Sequence, residues 1–329
     1  MKGKIAFEEH FSTPETLIDS ERPHGTSSIW PTLKHNLLDM RNTRIAKMDA
    51  LGIEIAVLSL NAPVLQAMPD TKASIELAIR SNDFLANEVA KNSKRFQAFA
   101  ALPMQDPEAA AKELTRCVKE LGFVGALVNG YTERDKPGSA YHYDLKEYWP
   151  FWEQVEKLDV PFYLHPRDLS RKEVFDGHPW LLTAAWSFGV ETSTHALRLI
   201  CCGLLDKYPK LQIILGHLGE GLPFSIWRAD HRLEKDPRGI TIKKKVNDYF
   251  RQNFYVTTSG NFHTQSLLDT MWEIGADRIL FASDFPFEEM EDAANWFDAA
   301  EINEYDKMKI GRENAIKLLK LEKSLAAKA

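Results

Sequence analysis

Short, nearly continuous runs of Ile, Val, Leu and Phe alternate with longer stretches of helical period from the third residue almost to the C-terminus. Eight such runs are present: Gly3 to His10, Ile53 to Leu60, Arg95 to Pro103, Phe123 to Gly130, Pro161 to Pro166, Leu211 to His217, Phe254 to Gly260 and Arg278 to Pro286. A half-exposed strand alternates apolar with polar residues. These runs are apolar on both faces, as parallel strands covered by helices are. The stretches between them carry helix punctuation. Asp106, Pro107 and Glu108 supply a capping side chain, a proline in the first turn and an early acid; Ala110, Leu114, Cys117, Val118 and Leu121 follow at helical spacing, and Gly122 ends the segment. The same logic predicts a helix from Asp144 through Leu145, Tyr148, Trp149, Trp152 and Val155, and another ending at Leu51 before Gly52. Eight β-then-α units without a break in composition predict one closed (β/α)8 TIM barrel over residues 1–329, in preference to two three-layer domains.

Three connections exceed the usual length, Phe11 to Leu38, Tyr131 to Asp144 and Arg167 to Pro179, after strands 1, 4 and 5. In a barrel all three fall on the face at the strands' C-terminal ends, where this fold places its chemistry. The first carries Trp30 among polar residues and is expected to close over a site or to dock on a second subunit. The chain is expected to end in a helical tail, frayed in its Lys-rich part after Leu319.

Composition removes whole classes of function. With 44% hydrophobic and 27% charged residues the chain can bury a large core, which excludes disordered, collagen-like and disulfide-dense proteins. Forty-one Lys and Arg against 47 Asp and Glu give a net charge of −6, spread along the chain, so neither nucleic acid nor an anionic membrane is an expected partner. No stretch reaches the roughly 20 apolar residues of a membrane span. The start of the chain lacks the phases of a signal peptide, because Glu8, Glu9 and His10 interrupt its apolar run. Cys117, Cys201 and Cys202 are odd in number and form no C-x-x-C pair, consistent with a reducing, cytoplasmic setting.

Ionisable residues recur at one end of the runs. Glu8 and His10, two apart, share a face of the first strand while Glu9 takes the other. His165 closes the fifth run, His217 the sixth, and Asp284 stands near the end of the eighth. An ionisable group at an interior strand end must be paired, hydrogen-bonded or bound to metal. Glu8, His10, His165 and Asp284 would offer one divalent cation two oxygen and two nitrogen donors, with zinc and manganese both compatible. The bland reading has separate histidines bonded to backbone carbonyls and Asp284 capping a helix. Glu220 either orients His217 as a supporting carboxylate or serves the start of the following helix. Arg228 either reaches back to hold an anionic group or pairs at the surface with Asp230 or Glu234. His24, His35, His142, His178, His195, His231 and His263 fall in loops or helices and are assigned no chemistry, His178 being the least secure of these omissions.

Together these segments resemble the metal-dependent decarboxylases of the amidohydrolase superfamily, most closely the γ-resorcylate (2,6-dihydroxybenzoate) type. Six blocks carry the resemblance in order along the chain: GKIAFEEHF from Gly3, LGFVGALVNG from Leu121, DVPFYLHP from Asp159, ILGHLGEGLP from Ile214, TTSGNF from Thr257 and RILFASDFPFE from Arg278. The resemblance implies an amidohydrolase-like barrel with Glu8, His10, His165 and Asp284 holding one divalent ion, zinc or manganese, and no organic cofactor. It implies proton transfer by His217, Glu220 and Asp284, substrate contact by Arg228, a small aromatic carboxylic acid as substrate, and a homo-oligomer, dimer or tetramer. Hydrolytic relatives usually begin with H-x-H, and two-metal members often carry a lysine on strand 4. Here Glu8 stands first and the run from Phe123 to Gly130 has no lysine. Two competing functions remain at this level, a mononuclear metal hydrolase acting on a lactone or amide, and a non-catalytic small-molecule binding protein.

Overall fold

All eight apolar runs fold as parallel strands, which we number β1 (Lys4–Phe11), β2 (Ile53–Leu60), β3 (Phe96–Ala100), β4 (Gly125–Asn129), β5 (Phe162–His165), β6 (Ile213–Leu215), β7 (Phe254–Thr257) and β8 (Ile279–Leu280). Each pairs with the next along the chain. A parallel bridge between Phe7 and Ala282 joins the first to the last, so the sheet closes into the expected (β/α)8 barrel. The structure is a computed structural model that describes residues 1–322, apart from the side chains of residues 22–24. The His24 side chain and the end of the Lys-rich tail therefore lie outside what is described. Among the described residues, no helix is long and apolar enough to cross a membrane.

The helix after β3 spans Pro107–Lys119, and the Asp106 side chain accepts from the backbone N–H groups of Glu108 and Ala109, as its sequence dictates. The next helix departs from expectation. It begins at Trp149, after a 3-10 turn, and Asp144 forks to Arg198 at 2.9 and 3.0 Å instead of capping it. A charged partner on the neighbouring helix outcompetes the local cap.

The core has two layers. Between strands and helices packs a large apolar shell; inside the barrel, Ile5, Phe7, Ile55, Val57, Phe99, Leu127, Tyr163, Ile214 and Leu280 fill the lumen. Ala315, Leu319 and Leu321 join this inner cluster, so the C-terminal helix Asn314–Leu319 packs against the lumen residues. The chain is thus packed at least to Leu321, two residues beyond where fraying was expected.

The parity of β1 decides what the barrel mouth contains. Ile5 and Phe7 point into the lumen and Ala6 into the outer layer. Strict alternation would continue with Glu9 inward and Glu8 and His10 outward. The register to β2 shifts between Ala6 and Glu9, and Glu8 takes a left-handed φ of 60°. That bulge reverses the alternation and brings Glu8 and His10 inside. Glu9, turned outward and fully buried, accepts from the Ser283 N–H at 3.1 Å and from Ser283 Oγ at 2.8 and 2.7 Å. Nearby, the His10 N–H donates to Phe285 O at 2.7 Å, while the buried Arg44 donates to His10 O at 2.5 Å and lies over the Phe285 ring. These bonds close the β1–β8 seam, where β8 itself is only two residues long.

The three long connections all lie on the mouth side. The first holds helices Ile18–His24 and Trp30–Leu38, whose Leu17, Trp30, Leu33 and Leu37 cluster against Phe287. The second is a two-stranded hairpin, Thr132–Arg134 with Lys136–Tyr141. The third runs on past Pro179 through 3-10 turns to Trp186, before helix Ser187–Cys201.

Burial pushes the Glu9 carboxyl up to about 8, against the hydrogen bonds from Ser283 and the charge of Arg44. The folded group therefore keeps its proton over a range in which the unfolded one, at 4.5, has lost it. Its contribution to stability falls as pH rises from 4.5 towards 8 and is level above. Replacing Glu9 with Gln should remove that slope in chemical denaturation measured across this range. Glu9→Ala should cost about 1–3 kcal/mol at every pH, because the Ser283 donors lose their acceptor.

Candidate metal centre and active site

Four of the ionisable strand-end residues meet at the barrel mouth. Each of Glu8, His10, His165 and Asp284 offers one donor atom, and these atoms lie within 4.8 Å of one another. His165 Nε2 is 3.2 Å from Glu8 Oε1, and His10 Nε2 is 3.3 Å from Asp284 Oδ1. The rings of His10 and His165 meet edge to face, 4.7 Å between centroids. Glu8 Oε1 and His10 Nε2 are fully buried and without a hydrogen-bond partner, so the chain leaves two strong donors aimed at a common point.

Their protonation states fit a divalent cation. Burial alone would push the Glu8 carboxyl up, yet the imidazoles of His217, His165 and His10 hold it well below the usual carboxylate range. Burial also opposes ionisation of Asp284, and the imidazoles of His10 and His217 beside it outweigh that and lower the group. His10 is lowered mainly by burial, which keeps its ring neutral. Anionic oxygens and neutral imidazole nitrogens are the forms that ligate metal.

A chain of hydroxyls fixes Glu8. Tyr163 donates to Glu8 Oε2, Thr257 Oγ1 donates to the same oxygen at 3.2 Å, and Tyr163 and Thr257 are 2.9 Å apart. Thr257 continues to Ser259 at 2.8 Å, which accepts the His217 N–H at 3.2 Å. Tyr163 and Thr257 were not singled out from sequence. The signal existed for Tyr163: it lies two residues before His165 and so shares its face.

His217 faces the cluster without belonging to it. Its Nε2 lies 3.9 Å from both Glu8 Oε1 and Asp284 Oδ2, and its Nδ1 lies 2.7 Å from Glu220 Oε1. That contact is the one an orienting carboxylate would make. Burial lowers the His217 ring, but the carboxylates of Glu220 and Glu8 overcome it and raise the group well above its ordinary value. The turn that presents His217 is held in an uncommon backbone state: His217, Leu218 and Glu220 have φ of 52°, 55° and 57°, flanked by Gly219 and Gly221. Asp284, at 64°, shares it. Left-handed non-glycine residues cost about 1–3 kcal/mol each and gather at functional sites. Gly260 is required opposite, since a Cβ there would come within 2.9 Å of His217 Cδ2.

A cavity of about 280 Å³ opens over His165, His217 and Asp284, walled by Ser20, Leu33 and Phe287 among others. Arg228 does not line it. It stands exposed on helix Leu222–Lys235 and has no hydrogen bond or ion pair among the described residues. Neither partner considered from sequence takes it, because Asp230 accepts the Val246 and Asn247 N–H groups and Glu234 pairs with Lys245. His178 is exposed beside Trp180, away from the centre.

A second buried cluster, His142, Glu191 and His195, was given no chemistry in the sequence reading, and its geometry differs in kind. The Tyr143 N–H donates to His195 Nε2 at 2.9 Å, which puts the neutral ring's proton on Nδ1, facing Glu191 Oε1 at 3.7 Å. A protonated nitrogen is not a metal donor, so this cluster is a buried carboxyl flanked by imidazoles.

The amidohydrolase family model matches residues 47–321, beginning after Glu8 and His10. The gamma-resorcylate decarboxylase of Polaromonas sp. (strain JS666) is 56% identical, covering 98% of this chain and 100% of that protein. The crystal structure of a dihydroxybenzoic acid decarboxylase from Polaromonas sp. JS666, with bound manganese and the inhibitor 2-nitroresorcinol, superposes with a TM-score of 0.95 at 56% identity, over 98% of each chain. A crystal structure of 2,6-dihydroxybenzoate decarboxylase complexed with 2,6-dihydroxybenzoate gives 0.95 at 55% identity, over 98% of this chain and 100% of that one.

Tyr163→Phe should weaken divalent-metal affinity about 10- to 100-fold by freeing Glu8 Oε2, with the melting profile of the metal-free protein little changed. Competition with a fluorescent chelator measures it, and unaltered affinity would remove Tyr163 from the support of the centre.

Proposed function

This chain belongs to the amidohydrolase family, and within it we propose that the chain is a divalent-metal-dependent decarboxylase of ortho-hydroxybenzoates, converting 2,6-dihydroxybenzoate reversibly to resorcinol and CO2. The observation that carries the reading is the convergence of Glu8, His10, His165 and Asp284 beside the His217–Glu220 pair, with His165, His217 and Asp284 lining one cavity. The relatives' bound manganese and the two carboxylates among the donors favour manganese. Glu8 in place of the first histidine of H-x-H, together with the decarboxylase relatives, speaks against the hydrolase alternative.

Glu8, His10, His165 and Asp284 would hold the cation. When bound, it supplies Lewis-acid polarisation and a template for an anionic aromatic acid. The ring carbon bearing the carboxylate must take a proton before CO2 leaves, because the electron pair of the breaking bond would otherwise be stranded in an in-plane orbital orthogonal to the π system of the ring. Asp284 delivers that proton. The electrons of the C–C bond then restore aromaticity, so one benzoate anion and one proton give one phenol and one CO2. Asp284 rests as a carboxylate, so it must be reprotonated in each turnover. His217, whose proton is strongly held between Glu220 and the centre, faces Asp284 Oδ2 and is the group placed to reprotonate it. A second anion in the cavity raises the Asp284 pKa and makes that transfer easier.

The same reading includes a cytoplasmic homo-oligomer, dimer or tetramer. Its supports are three free cysteines and an exposed aromatic surface on which Phe224 is 85%, Trp227 65% and Trp272 81% exposed. Arg228 shares the helix of Phe224 and Trp227, so its contact with substrate would be made in the cavity of a partner copy.

Metal-loaded protein incubated with a panel of hydroxybenzoates should release CO2 and resorcinol from the 2,6-dihydroxy acid. Asp284→Asn should abolish turnover; full activity at normal metal occupancy would refute its acid role. Co-expressed Arg228→Ala and Asp284→Asn chains should form mixed oligomers that recover part of the activity each variant lacks alone. Absence of recovery in mixed oligomers verified by mass would place Arg228 outside the reaction.

A further inference from the structure

The cavity wall contributed by the first connection carries one neutral, buried polar side chain, Ser20, which is 2% exposed. Asn61 Nδ2 donates to Ser20 Oγ at 2.6 Å. Asn61 follows β2 directly, is fully buried and is anchored by its own N–H to Phe11 O at 3.0 Å. Its Oδ1 has no partner. A hydroxyl can donate one hydrogen bond and accept two. With the Asn61 amide as it stands, Ser20 keeps its O–H to give; with the amide turned over, Ser20 donates to Asn61 and keeps its lone pairs. In both cases the hydroxyl of this cavity-lining residue keeps a hydrogen-bonding position open.

The charged groups of the lining outside the metal centre and His217 are committed or of the wrong sign, and the remaining neutral hydroxyl, that of Thr183, belongs to an exposed residue. The Arg167 guanidinium donates to Glu133, to Tyr131 O and to Gln66 O. Asp168 holds Lys172 at 3.2 Å and accepts the Thr183 N–H at 2.7 Å. Asp19 and Glu288 are acidic and repel an anionic ligand. Ile29, Leu33 and Phe287 contribute apolar surface to the same wall.

We propose that Ser20, oriented by Asn61, is a specificity-determining residue that hydrogen-bonds the second ring hydroxyl of a 2,6-dihydroxybenzoate, the substituent that 2-hydroxybenzoate lacks. The inference rests on the decarboxylase reading. A phenolic hydroxyl both donates and accepts, so it complements either orientation of the Ser20–Asn61 pair. An acid lacking that hydroxyl would bury Ser20 against bare ring C–H and leave the pair unsatisfied, which is how a polar site rejects an analogue that lacks the matching group.

The test compares kcat/KM for 2,6-dihydroxybenzoate and for 2-hydroxybenzoate in the metal-loaded wild type, Ser20→Ala and Ser20→Thr, with metal content and melting temperature recorded for each. Ser20→Ala should lose about 10- to 100-fold on the dihydroxy acid and stay within about threefold of wild type on the monohydroxy acid. Ser20→Thr, which keeps the hydroxyl, should retain the preference. Equal losses on both acids, or no loss on either, would overturn the assignment while leaving the decarboxylase reading intact. A wild type that turns over neither acid would overturn that reading and the Ser20 assignment with it.

Discussion

Two carboxylates, Glu8 and Asp284, are held ionised at the mouth of an apolar barrel, with Glu8 fully buried. Isolated anions in such surroundings would take up protons or open the structure to water, since transferring a charge out of water is far more costly than any single hydrogen bond repays. Here positive charge on His217, donors from Tyr163 and Thr257, and the polar faces of His10 and His165 compensate part of the deficit. Glu8 Oε1 and His10 Nε2 make no hydrogen bond, and a divalent cation held by this donor set would complete the balance. Much of the mouth follows from this requirement. The donors must converge, so they sit at strand ends where the barrel directs side chains inward. They must also be rigid, so hydroxyls on β5 and β7 brace the one carboxylate that a flexible side chain would otherwise let turn away.

Convergence is achieved by breaking regular geometry in three places. Glu8, His217 and Asp284 all carry left-handed backbone. In β1 the break reverses which side chains face inward, and without it Glu9 would occupy the position that Glu8 holds. After β6 the turn from His217 to Gly221 reverses again, so that Gly216 leaves space beside Glu8, where a Cβ would lie 3.1 Å from Oε1, and His217 faces the donors. Such strain persists only where the surroundings over-determine it. Around β1 and β8 that restraint is the seam itself: Glu9 on Ser283, His10 on Phe285, and Arg44 on His10. The outward Glu9 and the inward Glu8 are products of one bulge, one closing the barrel and the other facing the metal position.

The sequence was informative where it encodes periodicity and silent where it encodes exceptions to it. Eight apolar runs marked eight strands, and ionisable residues interrupting them at one end marked the donor set, because both signals survive averaging over side-chain direction. The exchange of inside for outside in β1 left no trace in the pattern, since Glu-Glu-His reads alike in either phase. Arg228 looked like a group reaching back to the site because it follows His217 closely. Helical geometry instead turns it outward beside Phe224 and Trp227, and no single-chain pattern distinguishes these directions. Asp144 has the composition of a cap and serves as an ion-pair partner for Arg198, a tertiary preference invisible to local reading. Ser20 and Asn61 escaped notice because serine and asparagine in a long connection are ordinary turn residues.

Charge balance also gives the cavity wall a part in the chemistry. Substrate enters as an anion and, once a proton has been added, leaves as neutral phenol and neutral CO2. An apolar wall of Ile29, Leu33 and Phe287 disfavours the charged reactant relative to both products, and it strengthens every interaction that stabilises charge at the centre. A wall made wholly of aliphatic groups would do this for any aromatic acid, without discrimination. One buried hydroxyl set into it adds no net charge and so keeps the electrostatic bias, while making the fit depend on what the second ortho position of the ring carries. The first connection, longer than a strand-to-helix link needs to be, thus supplies apolar cover from Leu33 and chemical discrimination from Ser20, while the strands beneath it provide the reacting groups.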